Sequence, residues 1–169
     1  LKTISPLKAF HRTLDAKIYN EDYEVPVRLY LPRNTDVFNL DVLLFFHGGG
    51  WATESNDTYE RACARLAAET EHIVVSVEYR LAPEYKFPTG LEDCYAVAKA
   101  MYTGQIGQGI EPEKITLIGD SAGGNITAAI SLMARDRKEF EVKRQILIYP
   151  ATYGDYNEAT PFDSVHENG

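Results

Sequence analysis

Four short apolar segments constrain the fold of this chain more than any other feature. They are Val42–Phe46, Ile73–Val77, 115–118 and 146–149. Apolar and polar residues do not alternate within them, so each predicted strand is expected to be covered on both faces, as in a parallel sheet. Helical spacing fills the intervals between the segments. Strands that alternate with helices in this way predict an α/β fold.

Three helices are predicted between the strands. The first starts at a candidate capping box formed by Asp57 and Glu60, the second is capped by Thr89 with Glu92, and the third spans Ala122–Arg137. Apolar residues recur at helical spacing in the first two helices. They are Tyr59, Cys63, Leu66 and Ala67 in the first, and Leu91, Tyr95, Ala98 and Met101 in the second.

A β-hairpin is predicted ahead of the first apolar segment. Residues Tyr23–Leu31 alternate between apolar and polar, an earlier strand covers 14–19, and 20–22 form the turn. Because Pro26 lacks an N–H group, this strand is expected at a sheet edge or a bulge. The fold class is therefore α/β, with helices on both faces of a mostly parallel sheet and antiparallel strands at its N-terminal side.

Chain length and net charge limit the number of domains and the kinds of partner that can be expected. The 169 residues match one domain, 1–169, and the polar residues 151–169 are interpreted as the start of a lid or cap insertion. A net charge of −8 argues against nucleic-acid and anionic-membrane partners. No apolar run reaches membrane-spanning length and no secretory signal is visible, so a cytoplasmic location is expected.

The two cysteines show no metal-type spacing. Cys63 and Cys94 both fall in predicted helices, where buried free thiols are expected. No metal site is predicted.

Residues Gly119, Asp120, Ser121, Ala122 and Gly123 form a G-x-S-x-G motif between a predicted strand and a predicted helix. This is the setting of a nucleophile elbow, in which a strained turn projects the serine toward a substrate carbonyl. Small neighbours make room for the turn, and the helix N-terminus directs its dipole at the serine. The pattern is short and also arises by chance, but its position between strand and helix favours the catalytic interpretation.

A second glycine motif directly follows the first apolar segment, at His47, Gly48, Gly49, Gly50 and Trp51. Three consecutive glycines are entropically costly in a folded chain. An oxyanion hole, in which backbone N–H groups face a developing negative oxygen, explains them. A flexible loop is the alternative, but the presence of a serine elbow downstream makes coincidence of both motifs unlikely.

Taken together, the motifs resemble the hormone-sensitive-lipase-like branch of the α/β-hydrolases, which includes bacterial acetyl esterases and carboxylesterases. The residues that carry the resemblance are 47–51, 79–84 (Tyr-Arg-Leu-Ala-Pro-Glu), 119–125 and 149–150. The resemblance implies a lipase-like serine hydrolase that cleaves short-chain carboxylic esters without a cofactor. It assigns Ser121 as the nucleophile and Gly48, Gly49 and Ala122 as the oxyanion donors. Supporting positions are His47, Gly119, Asp120, Gly123, Tyr79 and Glu84.

Several of these residues also have structural interpretations. Tyr79 and Glu84 are expected to make structural hydrogen bonds. His47 is expected to brace the glycine loop, because a triad base on this fold follows the serine in sequence. Trp51 and Tyr153 are either acyl-pocket residues or core aromatics. His11 and His72 are expected at the surface.

The catalytic acid and base are not identified. The only histidine after Ser121 is His166, and no strand is predicted to present it. Asp155, Asp163 and Glu167 are equally unsupported as the acid. The chain is therefore interpreted as the N-terminal portion of a longer hydrolase, and the 169 residues alone are expected to lack efficient turnover.

Three alternatives to an esterase remain open at this stage. One is a non-catalytic protein that binds a small ligand on the same scaffold, as the plant gibberellin receptors do. Another is an inactive fragment. In a further alternative, two truncated chains assemble as a homo-oligomer and share elements. The expected partner is a small-molecule ester, with neither nucleic acid nor a membrane involved.

Overall fold

A computed structural model of the protein describes residues 12–20, 23–33, 40–106 and 110–152. The elements in chain order are β1 (Arg12–Asn20), β2 (Tyr23–Leu31), β3 (Val42–Phe46), α1 (Asn56–Thr70), β4 (Ile73–Val77), α2 (Thr89–Tyr102), a 3₁₀ turn (Pro112–Lys114), β5 (Ile115–Asp120), α3 (Ala122–Arg137) and β6 (Gln145–Ile148). Each predicted strand and helix is present. The 3₁₀ turn was not predicted.

The strands form one six-stranded sheet in the order β1-β2-β4-β3-β5-β6. β1 and β2 pair antiparallel, as do β2 and β4, whereas β4, β3, β5 and β6 run parallel. The predicted α/β fold with an antiparallel lead-in is confirmed. Because parallel strands end at the same edge of a sheet, the segments that follow β3, β4 and β5 meet there.

Apolar side chains cover both faces of the sheet. In β3, Val42, Leu44 and Phe46 pack with residues of α2 and α3, while Leu43 and Phe45 pack with residues of α1. The fully buried strands β3, β4 and β5 therefore lie between helical layers. This explains why their sequences do not alternate.

Two predicted helix starts are wrong. The capping box of α1 consists of Ser55 and Thr58 rather than Asp57 and Glu60. Ser55 precedes the helix in extended conformation and its hydroxyl accepts from the Thr58 N–H. For α2, Pro88 holds the cap position without a side-chain hydrogen bond, and Thr89 is the first helical residue.

The position of Pro26 also differs from the prediction. β2 is an interior strand between β1 and β4, so it is not at an edge. Its pairing with β4 begins only at Val27, and the Pro26 carbonyl accepts from the N–H of Glu78 just beyond β4. The N and C=O of a strand residue point to the same side. Pro26 therefore lies opposite Glu78, just past the end of β4, and its missing N–H costs one hydrogen bond at the end of the β2–β4 pairing.

Both cysteines are buried free thiols, as predicted. Burial raises the pKa of Cys63 to about 12, so it stays a neutral thiol. None of the helices in the described part of the chain has the length and apolar character needed to cross a bilayer. The predicted lid segment from 153 onward lies outside the described residues.

Candidate active site

Ser121 occupies a strained turn between β5 and α3. Its backbone has φ +50 and ψ −116, a conformation that costs a non-glycine residue energy and persists only when neighbours enforce it. Three hydrogen bonds enforce it. The Ser121 N–H donates to the Ile148 carbonyl at 2.9 Å, and its carbonyl accepts from the N–H groups of Asn125 and Ala151 at 3.0 and 3.1 Å.

Gly123 is where the elbow and β3 approach most closely. A methyl group at this position would overlap the carbonyl oxygen of Phe46 and lie 2.7 Å from that of His47. Gly119 is similarly crowded, with the Phe46 carbonyl oxygen 2.8 Å from an added Cβ. Gly124 is less crowded, since an added Cβ would lie 3.0 Å from Cβ of Pro150 and 3.1 Å from the Gly119 carbonyl oxygen. The close approach therefore depends on Gly119 and Gly123.

The glycine loop follows β3 at the same sheet edge, and hydrogen bonds hold its peptide carbonyls in place. The Gly48 carbonyl lies 2.8 Å from Nδ1 of His47. The Gly49 carbonyl accepts from the N–H groups of Ala52 and Thr53 at 3.1 and 3.0 Å. Because C=O and N–H point in opposite directions across a trans peptide, these bonds also fix the directions of the Gly49 and Gly50 N–H groups.

His47 braces this loop from inside. The ring is fully buried and stacks on Tyr79, with 4.4 Å between ring centroids. Burial lowers the pKa of His47, so the ring is neutral and donates its Nδ1 proton to the Gly48 carbonyl. The Tyr79 hydroxyl donates to the His47 carbonyl at 2.8 Å. Both residues therefore make structural hydrogen bonds at the glycine loop.

Gly48 differs from the oxyanion donor expected from the sequence. Its N–H donates to Oδ1 of Asp120 at 3.1 Å and lies 3.3 Å from the Tyr59 hydroxyl. This N–H is therefore engaged inside the protein and is not free for a substrate. By contrast, the N–H groups of Gly49, Gly50 and Ala122 have no acceptor within the described ranges.

No general base contacts the nucleophile in the described part of the chain, where no side chain hydrogen-bonds the Ser121 hydroxyl. His72 precedes β4, at the opposite sheet edge, and its Nδ1 lies 2.6 Å from the Thr70 carbonyl. His11, Tyr153, Asp155, Asp163, His166 and Glu167 lie outside the described residues.

A cleft of about 540 Å³ lies between the glycine loop and the first turns of α3, which follow the elbow. Its walls are mostly apolar and aromatic, and they include Gly50 and Trp51 of the glycine loop. Trp51, with φ +60, is partly exposed there rather than buried in the core. The other lining residues are Tyr79, Arg80, Ala82, Tyr85, Phe87, Pro88, Gly90, Leu91, Asn125, Ile126, Ala151 and Thr152.

A buried ion pair supports one wall of the cleft. Asp93 on α2 is 0% exposed and accepts from Arg80 Nε and Nη2 at 2.8 and 2.7 Å. Asn20 also donates to Asp93, at 2.9 Å. The Arg80 guanidinium lies over the ring of Tyr23, 4.1 Å from its centroid. Together these contacts tie the hairpin, the segment after β4 and α2 to one another.

Glu84 does not show the structural hydrogen bonding expected of it. It is exposed, and the structure gives its side chain no hydrogen bond or ion pair within the described ranges. Sequence reasoning also missed Tyr59, Asp93 and Asn125 as site residues. Asn125 donates to the Ala151 carbonyl at 2.7 Å; its place directly after the elbow motif was the available signal.

The described residues contain no group of three or more His, Cys, Asp or Glu side chains placed to hold a metal ion.

Comparisons with known proteins agree with the observed fold. A family model described as alpha/beta hydrolase fold matches residues 43–168. The chain is 43% identical over 145 residues to an arylesterase of Saccharolobus solfataricus, covering 85% of this chain and 46% of the relative. It is 39% identical over 132 residues to carboxylesterase NlhH of Mycobacterium tuberculosis, covering 78% of this chain and 41% of the relative.

The solved structure of a hyperthermophilic esterase from the archaeon Pyrobaculum calidifontis superposes with a TM-score of 0.84 at 40% identity. The match covers 95% of this chain and 52% of that one. The chain thus spans about half the length of the relatives it matches. With sheet order, sequence and family model in agreement, the chain belongs to the alpha/beta hydrolase fold family, and the relatives that it matches are named as esterases.

Proposed function

We propose that the protein is a carboxylic ester hydrolase in which the Ser121 hydroxyl attacks the ester carbonyl. The carbonyl carbon forms a bond to Ser121 Oγ, the alcohol leaves, and water then cleaves the acyl-enzyme. The observation that carries this proposal is the strained Ser121 turn, which lies beside a glycine loop with unengaged N–H groups. Strain of this kind is retained at functional sites.

The oxyanion donors we propose are the N–H groups of Gly49, Gly50 and Ala122. Gly49 and Ala122 were expected from the sequence, and Gly50 replaces Gly48, whose N–H already bonds Asp120. Ala122 is the first residue of α3, so the positive end of the helix dipole adds to its N–H. Preformed donors of this kind stabilise the tetrahedral intermediate without reorganising during the reaction.

The proposed substrates are small esters with apolar groups. The aromatic cleft walls favour an apolar acyl or alcohol group. The names of the relatives, arylesterase and carboxylesterase, agree with esters as the substrate class. The general base and its acid partner are not among the contacts of Ser121 in the described residues, and His166 remains a candidate base only by its position in the sequence.

The test is hydrolysis of p-nitrophenyl acetate by the full-length natural protein and its Ser121→Ala variant. We expect the variant to lose turnover by roughly 10⁴-fold or more, because no other group replaces the nucleophile. Because the variant loses only a hydroxyl that makes no hydrogen bond within the described residues, its melting temperature should stay close to that of the natural protein. Stoichiometric labelling of Ser121 by a fluorophosphonate, read by mass spectrometry, identifies the nucleophile directly.

Turnover that survives in Ser121→Ala contradicts the proposal. A natural protein that binds p-nitrophenyl acetate analogues but shows neither turnover nor labelling would instead favour the ligand-binding alternative.

A further inference from the structure

The carboxylate of Asp120 stands directly before the nucleophile, where its charge requires an explanation. It is 8% exposed, and no cation pairs with it in the described part of the chain. A negative charge so close to a developing oxyanion opposes the oxyanion electrostatically. A carboxylate at this position therefore points to a role other than charge stabilisation.

Three elements converge on this carboxylate. Asp120 ends β5, Gly48 follows β3, and Tyr59 lies in the first turns of α1. The Gly48 N–H donates to Oδ1 at 3.1 Å and the Tyr59 hydroxyl donates to Oδ2 at 2.7 Å. Burial and the bond to Asp120 both raise the pKa of Tyr59, so its hydroxyl keeps the proton it donates.

These bonds hold one peptide unit from both ends. The unit between His47 and Gly48 accepts the Tyr79 hydroxyl at its carbonyl and donates to Asp120 at its N–H. The next two peptide units carry the free N–H groups of Gly49 and Gly50. The fit is close, because a Cβ on Gly48 would lie 2.6 Å from Asp120 Oδ2 and 3.1 Å from the Tyr59 hydroxyl.

We infer that Tyr59 and Asp120 are positioning residues that set the proposed oxyanion donors relative to Ser121. This inference rests on the proposed function. Neither residue touches the substrate. They act through the Gly48 peptide, which they fix between the elbow and α1, so that the following N–H groups meet the oxyanion at the correct distance.

The experiment compares Tyr59→Phe, Asp120→Asn and Asp120→Ala in the full-length natural protein. Tyr59→Phe should lower kcat roughly 10-fold and Asp120→Ala roughly 100-fold, with KM changed by less than about 2-fold, because the lost interactions matter in the transition state. Asp120→Asn should stay within roughly 3-fold of the natural kcat, because its amide oxygen accepts from Gly48 and its NH₂ donates to Tyr59.

A second readout separates positioning from mere stability. A trifluoromethyl ketone inhibitor forms a hemiketal oxyanion, so its Ki should rise by the same factor by which kcat falls. Tyr95→Phe is the matched control, since Tyr95 donates to the Glu139 carboxylate at 2.6 Å on α2. It removes the same type of bond and should leave kcat and Ki unchanged, whatever its effect on the melting temperature.

The outcomes distinguish a failure of the positioning role from a failure of the proposed function. A normal kcat or Ki in Tyr59→Phe, with Ser121→Ala inactive, overturns the positioning role and leaves the proposed function intact. An Asp120→Asn variant as impaired as Asp120→Ala also overturns it. A natural protein without turnover, or turnover that survives Ser121→Ala, overturns both.

Discussion

The two walls of the candidate site are held together in different ways. Around Ser121, contacts between backbone atoms set the geometry, since Gly119 and Gly123 pack directly on the carbonyl oxygen of Phe46. Across the cleft, the segment after β4 is held mainly by the buried pair of Arg80 and Asp93, with one backbone bond from the Ala82 N–H to the Trp51 carbonyl. Phe87, in the same segment, is 85% exposed.

The wall held by backbone contacts therefore suits the reaction, and the wall held by side chains suits substrate recognition. Backbone contacts leave no freedom to adjust, so they suit groups that must stay within a fraction of an ångström of the reacting atoms. Side chains on a wall can be exchanged while the backbone stays in place. We therefore expect substitutions near Ser121 to change kcat and substitutions on the cleft wall to change KM, with the ion pair contributing mainly to stability.

Gly123→Ala should have the largest effect. The added methyl group overlaps the Phe46 carbonyl oxygen, which belongs to a buried strand and cannot move aside. Because a displacement of about 1 Å costs roughly 100-fold in rate, we expect kcat/KM to fall by at least that factor. The measurement is steady-state hydrolysis of p-nitrophenyl acetate together with the melting temperature of the full-length protein.

Gly104→Ala is the control for Gly123→Ala. Gly104 has φ +70, and an added Cβ there meets nothing within 4 Å. It should cost about 1 kcal/mol of stability from its left-handed conformation and leave kcat/KM unchanged. Equal losses of activity in the two variants would show that close backbone packing is not what the elbow requires.

Arg80→Met should have an intermediate effect, mostly on stability. It leaves the fully buried Asp93 carboxylate without its cation, and breaking a buried pair in this way costs about 3 kcal/mol or more in the free energy of unfolding. Urea denaturation of the full-length protein measures the change.

Arg28→Met provides the comparison for Arg80→Met. Arg28 also bonds two carboxylates, at 2.7 and 2.6 Å, but Asp15 and Asp57 are both exposed. Exposed pairs contribute little, so the urea midpoint should move much less than in Arg80→Met. Similar midpoints in the two variants would show that the buried pair contributes no more to stability than the exposed pairs do.

The sequence predicts the strands, the helices and the turn at Ser121 because their signals are local. Apolar runs define the strands, and the G-x-S-x-G motif lies where β5 gives way to α3. Local signals also mislead, as at α1, where Asp57 and Glu60 match the capping pattern but Ser55 makes the cap. Two acceptable patterns overlap there, and only the direction in which the chain enters the helix decides between them.

The missed site residues depend on contacts between distant segments. Tyr59 falls in the apolar stripe of α1, which predicts a core residue, yet its hydroxyl bonds Asp120 on another strand. Asp93 is charged, which predicts an exposed position, but Arg80 and Asn20 satisfy it inside the protein. Likewise, a glycine motif indicates free N–H groups without showing that Asp120 engages that of Gly48.

Phe87→Ala should have the smallest effect. It tests whether the cleft wall acts in substrate recognition alone. Its ring lines the cleft but is mostly exposed, so its loss should barely change the melting temperature. For a p-nitrophenyl ester, we expect KM to rise roughly 3- to 10-fold through lost apolar contact, with kcat unchanged. Tyr19→Ala, another exposed aromatic but on β1 and not among the cleft-lining residues, should change neither constant. If kcat falls in Phe87→Ala while KM stays the same, then the cleft wall takes part in setting the reacting geometry, and recognition and reaction are not separated as proposed.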